Sequence, residues 1–179
     1  TVRHVDLGAI EQRRAERLQR LQDVQDLLIW HVSDEQGLDG DRWYPQLPPQ
    51  RTVLREFPHA RFDGFEQVGN LPLGPTRSAM VNLPWLPSSL REHAWCFMGT
   101  LWPGTSREQA VDCFRGLVPN GFAHGSQGFG QGLASDQYVH VLHQSRFSLC
   151  PEGHRHFETF RFYESLELGS IPLGLQTPE

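Results

Sequence analysis

A strand, a helix and a second strand packed into residues 145–173 constrain this 179-residue chain more than any other feature. Phe147, Ser148 and Leu149 form a short run that Pro151 and Gly153 close, the pattern of a buried strand ending in a turn. Residues 159–168 read as a helix, with Phe160, Tyr163, Leu166 and Glu167 at helical spacing and Gly169 where a helix stops with positive φ. Residues 171–175 begin another strand. A βαβ unit of this size pairs its strands in parallel through a right-handed crossover. The fold class expected is therefore α/β, built from Rossmann-like parallel-sheet units.

The polar residues of that unit fall where such a sheet binds ligands, outside the carboxyl ends of its strands. The loop 151–158 occupies one such end. The helix start at Thr159 aims free N–H groups and a positive dipole end into the same crevice. Arg161, in the first turn, can reach a phosphate bidentately. Glu164, one helical step further on the same face, is an acceptor suited to two sugar hydroxyls. Spacing alone leaves a second reading open: a solvent-exposed Arg161–Glu164 pair on an ordinary helix.

Pro151-x-Gly153, followed by Glu158-Thr159-x-Arg161-x-x-Glu164-x-Leu166-x-x-Gly169-x-Ile171-Pro172, resembles the carboxyl-terminal signature of exostosin-like glycosyltransferases. It departs from the family pattern at Ser165, where Ala is frequent, and at His154, Arg155 and His156, where relatives are rich in Gly or Asn. More loosely, His31-x-Ser33-Asp34-Glu35, Val53-Leu54-Arg55 and Leu71-Pro72-Leu73-Gly74 resemble the end of the amino-terminal domain in the ribitol xylosyltransferase-like branch. The resemblance implies the two-domain architecture called GT-B, incomplete here. Residues 1–74 would end an acceptor-side domain, 75–90 would be a linker, and 91–179 a donor-binding domain truncated at its carboxyl end. It also implies transfer of a sugar, with inversion, from a UDP-sugar donor to a hydroxyl of a glycan or polyol. Pro151, Gly153, Glu158, Thr159 and Arg161 would hold the nucleotide sugar, Arg161 would assist catalysis, and Glu164 would hold the ribose. No cofactor or metal is required in that scheme. A catalytically inactive nucleotide-sugar-binding or assembly subunit is the alternative, consistent with the short length. The chain starts at Thr1 and stops soon after a strand, so it reads as a fragment or a minimal relative lacking parts of both domains.

Upstream, residues 6–26 are helical in pattern, with Leu7, Ile10, Arg14, Leu18, Leu21, Val24 and Leu28 recurring every three or four positions and an Arg-rich solvated opposite face. Residues 27–32 form an apolar strand emptying into Ser33-Asp34-Glu35. Either carboxylate is a candidate general base for an acceptor hydroxyl; the other reading is that they cap the turn. His31 reads as a packed histidine. Asp39-Gly40-Asp41 sits among turn formers and reads as a turn rather than a metal-binding carboxylate pair. Residues 52–57 form a strand carrying Arg55, which either faces the donor phosphates or pairs with Glu35, and residues 68–71 form another.

Trp85, in the Pro- and Ser-rich linker, covers a core edge or docks in the cleft. Residues 94–98 make a strand ending at Gly99-Thr100. Ser106 and Gln109 offer a capping box for a helix over 107–117. Gly99, Thr100 and Arg107 are thus secondary phosphate candidates, a plain helix start being the equal alternative. Residues 121–132 are glycine-dense and read as a mobile connection that can cover the nucleotide base, in which His124 either is solvated or touches donor or acceptor. Ser135 is expected to cap a helix reaching His143, with Tyr138, Val139 and Leu142 inward.

Composition narrows the partners. Net charge is −5 and all 16 basic residues are Arg, so the chain advertises no nucleic-acid surface and has no lysine for Schiff-base chemistry. Cys96, Cys113 and Cys150 are odd in number and widely spaced, which points to reduced core thiols. No apolar run has membrane-spanning length, and neither a signal peptide nor an Asn-x-Ser/Thr acceptor occurs. Localisation stays open between the cytoplasm and, for a fragment of a membrane-anchored enzyme, the Golgi lumen.

Overall fold

The computed structural model describes residues 12–13, 16–17, 19–20, 24, 28–32, 34–35, 37–38, 43–48, 50–128, 130–153, 156 and 158–174. The chain divides into two compact units, residues 1–72 and 73–179.

In the first unit, β1 (Leu28–His31), β2 (Thr52–Arg55) and β3 (Val68–Asn70) form a parallel sheet in that order. His31, Arg55 and Asn70 stand in register at its carboxyl edge. Tyr44, Leu47, Val53 and Phe62 form the core, with Ile29, Trp43, Phe65 and Val68 packed against them. Exposure alternates along β1, as a strand's two-residue period requires. Leu28 therefore belongs to this strand and not to the preceding helical pattern. Gln12, Arg13, Glu16, Arg17, Gln19 and Arg20 are helical and exposed, the solvated face expected. Leu7, Ile10, Arg14, Leu18, Leu21 and the Asp39-Gly40-Asp41 turn lie outside the described residues.

In the second unit, β4 (His93–Thr100), β5 (Gly121–Ser126), β6 (Ser145–Leu149) and β7 (Ile171–Leu173) pair in parallel in the order β5-β4-β6-β7. The helices α1 (Ser106–Leu117), α2 (Ser135–His143) and α3 (Phe160–Glu167) connect them in turn. The step from β4 to β5 runs one way along the sheet, and the steps to β6 and β7 run the other. Right-handed crossovers consequently put α1 on one face and α2 with α3 on the opposite one. Alternation along β4 serves both layers. Trp95 and Phe97 pack with Val111, Phe114 and Leu149, whereas Cys96 and Met98 pack with Val139, Val141, Leu142 and Leu168. The neighbours β4 and β6 thus form the switch point, with crossovers leaving to opposite faces, and the ligand crevice of such sheets lies at their carboxyl ends.

Several local expectations change. The glycine-dense stretch begins as a strand, because its first six residues pair with β4. A Cβ at Gly121 would collide with the Trp95 indole and one at Gly125 with Leu101, so glycine is what lets these strands close up. His124 accordingly lies on β5. Neither expected side-chain cap forms. The N-caps are Thr105 and Ala134, and the Ser106 hydroxyl donates to Glu152 Oε1 at 3.2 Å instead. Residues 75–90 belong to the second unit: Ala79 is fully buried in its core, and Pro84 O lies 2.9 Å from His143 Nε2. Trp85 is 80% exposed and covers no core edge. Buried Arg91 then pins the start of β6 and the end of α3, donating to Ser145 O and Leu168 O.

Cys96 and Cys150 are buried, whereas Cys113 is exposed on α1. Burial pushes the Cys96 thiol up to about 11 and raises Cys150 as well. Only the thiolate attacks a disulfide, so a raised pKa removes reactivity at pH 8. One thiol of three is expected to react with an aromatic disulfide reagent in the folded protein, and all three in denaturant. Fast reaction of two or three before unfolding would contradict this packing.

Candidate functional site at the β4–β6 switch point

At the carboxyl end of β4, Arg161 Nε donates to Met98 O at 2.9 Å and its guanidinium lies over the Phe97 ring, 4.8 Å from the centroid. It rests directly on Gly99, where a Cβ would overlap Nη2. Gly99 therefore acts by making room. Among the described residues, the Arg161 Nη1 group is buried with no hydrogen-bond partner, and so are Thr159 Oγ1 and Glu158 Oε2. Thr159 is the extended N-cap of α3, yet its side chain makes no capping bond. A guanidinium nitrogen and a hydroxyl buried without acceptors cost about 1–3 kcal/mol each, more for the charged one. Both lie at a helix N-terminus, where an anion would satisfy them.

The other expected phosphate contacts have structural work. Arg107 is buried over the Trp102 ring. Its Nε donates to Glu152 O at 3.0 Å and its Nη1 to Thr100 O at 3.2 Å, tying the end of β4 to the loop after β6. The Thr100 hydroxyl pairs with Ser126 at 3.2 Å. Pro151 is fully buried, and the Gly153 N–H donates to His156 O at 2.7 Å within the loop. Glu158 Oε1 accepts from the Tyr163 hydroxyl at 2.7 Å, and burial, helped by that bond, pushes Tyr163 up to about 12.

Glu164 is 5% exposed, so the solvent-exposed Arg161–Glu164 pair is not what forms. Its Oε2 accepts from the Tyr138 hydroxyl of α2 at 2.6 Å, and its Oε1 accepts from the Thr76 hydroxyl. Burial pushes the Tyr138 hydroxyl far up; Arg161 opposes the rise and Glu164 adds to it, which puts all three groups in one electrostatic neighbourhood. Tyr138 and Thr76 were invisible as site residues. Tyr138 reads as an inward apolar position, and the only available signal was that a buried tyrosine hydroxyl needs a partner.

In the first unit, Arg55 is 1% exposed, and each of its guanidinium nitrogens donates a hydrogen bond. Nε reaches Phe57 O at 2.6 Å, Nη1 the Tyr44 hydroxyl at 2.7 Å, and Nη2 the Asp34 Oδ2 at 3.1 Å. The guanidinium also covers the Phe62 ring at 4.1 Å. The acid it pairs with is Asp34. Asp34 Oδ1 accepts from Leu38 N at 3.0 Å, so this carboxylate does cap its turn. His31 Nδ1 lies 2.6 Å from the Tyr44 hydroxyl, a packed histidine in the same web. Glu35 is half-buried.

The model of one protein family, the RXYLT1 C-terminal domain, matches residues 79–177, more than half of the chain. The chain belongs to that family. The RXYLT1 C-terminal domain match supports the exostosin and ribitol xylosyltransferase-like assignment, and with it a glycosyltransferase relationship. It contains Gly99, Tyr138, Thr159, Arg161 and Glu164, while Asp34, Glu35 and Arg55 lie outside it. No curated protein matches the chain. Among the described residues no helix is long and apolar enough to cross a membrane.

Proposed function

We propose that this member of the RXYLT1 C-terminal domain family binds a UDP-sugar at the β4–β6 switch point and transfers its sugar, with inversion, to a hydroxyl of a glycan or polyol. The observation that carries the reading is the pair of buried donors that find no acceptor among the described residues, Arg161 Nη1 and Thr159 Oγ1, at the N-terminus of α3. A diphosphate supplies acceptors for both. As the glycosidic bond breaks, charge grows on the departing diphosphate, and Arg161 with the helix end stabilises it where it develops. The scheme needs no metal. Glu164 accepts hydrogen bonds from the ribose. Deprotonation of the acceptor hydroxyl calls for a general base, and Asp34 and Glu35 are the candidate carboxylates.

Calorimetric titration with UDP tests the grip. Loss of a charged hydrogen bond to phosphate is expected to weaken Arg161→Ala by about ten- to hundred-fold. Thermal unfolding checks that the variant remains folded. Equal UDP affinity for Arg161→Ala and the parent would sink the assignment. Release of UDP from a panel of UDP-sugars then separates a transferase from a binding subunit.

A further inference from the structure

Glu164 carries a buried negative charge in an unusual setting. Among the described residues it makes no ion pair, although Arg161 lies one turn earlier on the same helix. Its two identified partners are neutral hydroxyls, one on each oxygen. They come from different places: Thr76 from the segment ahead of β4, itself bonded to Ser78 at 2.9 Å, and Tyr138 from the first turns of α2. A carboxylate has about four acceptor positions, two per oxygen. One position on each oxygen is therefore taken, and one on each remains. Two acceptors side by side on a fixed carboxylate match a vicinal diol.

We propose that Tyr138 and Thr76 are positioning residues that aim Glu164 at the 2′- and 3′-hydroxyls of the nucleotide's ribose, and so make the site select ribo- over 2′-deoxyribonucleotides. This rests on the UDP-sugar reading above and adds the means of selection. A carboxylate free to swing would lose orientation on each encounter, whereas one clamped by two hydroxyls is set before the ligand arrives. The clamp leaves the charge in place, so the remaining acceptor positions keep the strength of charged hydrogen bonds. Tyr138 ties that aim to α2, whose Val139 and Leu142 are packed in the core. Thr76 ties it to a segment anchored by buried Ala79. The ribose end of the site is thus fixed from two independent elements.

The test is calorimetry of the full chain with UDP and 2′-deoxy-UDP, in the parent and in Tyr138→Phe, Thr76→Val and Thr76→Ser. The parent should prefer UDP by about ten- to hundred-fold, as a site built to bond a hydroxyl rejects the analogue lacking it. Tyr138→Phe and Thr76→Val should shrink the preference several-fold, weakening UDP more than 2′-deoxy-UDP, which keeps only the 3′-hydroxyl for Glu164. Thr76→Ser, which keeps the hydroxyl, should retain it. An unchanged UDP preference in both disruptive variants, or equal losses for both nucleotides, would overturn the proposal while leaving the diphosphate grip intact. A parent that binds UDP but does not discriminate would overturn it together with the ribose role of Glu164. A parent that binds neither nucleotide would defeat the underlying reading as well. Should Tyr138→Phe fold poorly, the Thr76 pair carries the test.

Discussion

Gly99→Ala is expected to weaken UDP binding at least about ten-fold while leaving the second unit folded. The added methyl would occupy the place of Arg161 Nη2, so the guanidinium must leave its seat. In leaving, it forfeits the bond to Met98 O and its position over Phe97. The obstructed group is the far end of a flexible side chain, but Gly99 also takes φ +158, which side chains rarely adopt, so the substitution strains the end of β4 as well. The stability loss combines about 1–3 kcal/mol of backbone strain with about 1 kcal/mol for one net hydrogen bond. Ligand affinity should suffer far more, because the cation proposed to hold the diphosphate is displaced. If Gly99 acts only through Arg161, then Gly99→Ala added to Arg161→Ala should cost little further affinity, a strong departure from additivity. Titration with UDP on the four members of this cycle, with thermal unfolding alongside, measures both quantities. Additive losses would mean that Gly99 acts on the ligand independently of Arg161, by contact or through the backbone at φ +158, and an unchanged Gly99→Ala would mean that the seat on β4 is dispensable.

What was legible here followed from local pattern. The 145–173 unit was readable because its periodicity changes at Pro151 and again at Gly169, and Gly169 does take φ +72 at the end of α3. Arg161 and Glu164 could be singled out because spacing and motif coincide on one helix. Their surroundings could not be read. Thr76 lies 88 residues from Glu164 and Tyr138 lies 26 away, and both meet it only because the sheet order brings their elements together. β5 was hidden because glycine weakens a strand in any propensity argument, yet there it answers the bulk of Trp95 across the sheet. The segment 75–90 has the composition of a linker, but Ala79 alone is enough to anchor it in the core. Arg55 posed the reverse difficulty. Its position at the carboxyl end of a parallel strand suits a phosphate contact and an internal ion pair equally well, and only burial separates the two.

That separation can be measured. Arg55→Met is expected to destabilise the first unit by about 3–5 kcal/mol, the scale for removing one member of a buried ion pair. The loss has several sources. Asp34, with a side chain 9% exposed, would keep a largely buried charge without its cation, and the Tyr44 hydroxyl would lose a donor. The Phe62 face would exchange a guanidinium for a thioether. Arg55→Met combined with Asp34→Leu should recover much of the loss, because apolar replacement of both partners removes the stranded charge. Urea unfolding followed by tryptophan fluorescence is suited to this, as Trp30 and Trp43 report on the first unit. UDP affinity should stay within about two-fold of the parent, the scatter usual for a residue that makes no contact with the ligand. A donor-phosphate contact makes the opposite prediction: UDP affinity would fall by ten-fold or more on the scale of a charged hydrogen bond, with the urea midpoint unmoved. Because the two outcomes differ in both observables, a single variant decides whether Arg55 builds the first unit or serves the ligand, and the guanidinium's closed set of partners favours the former.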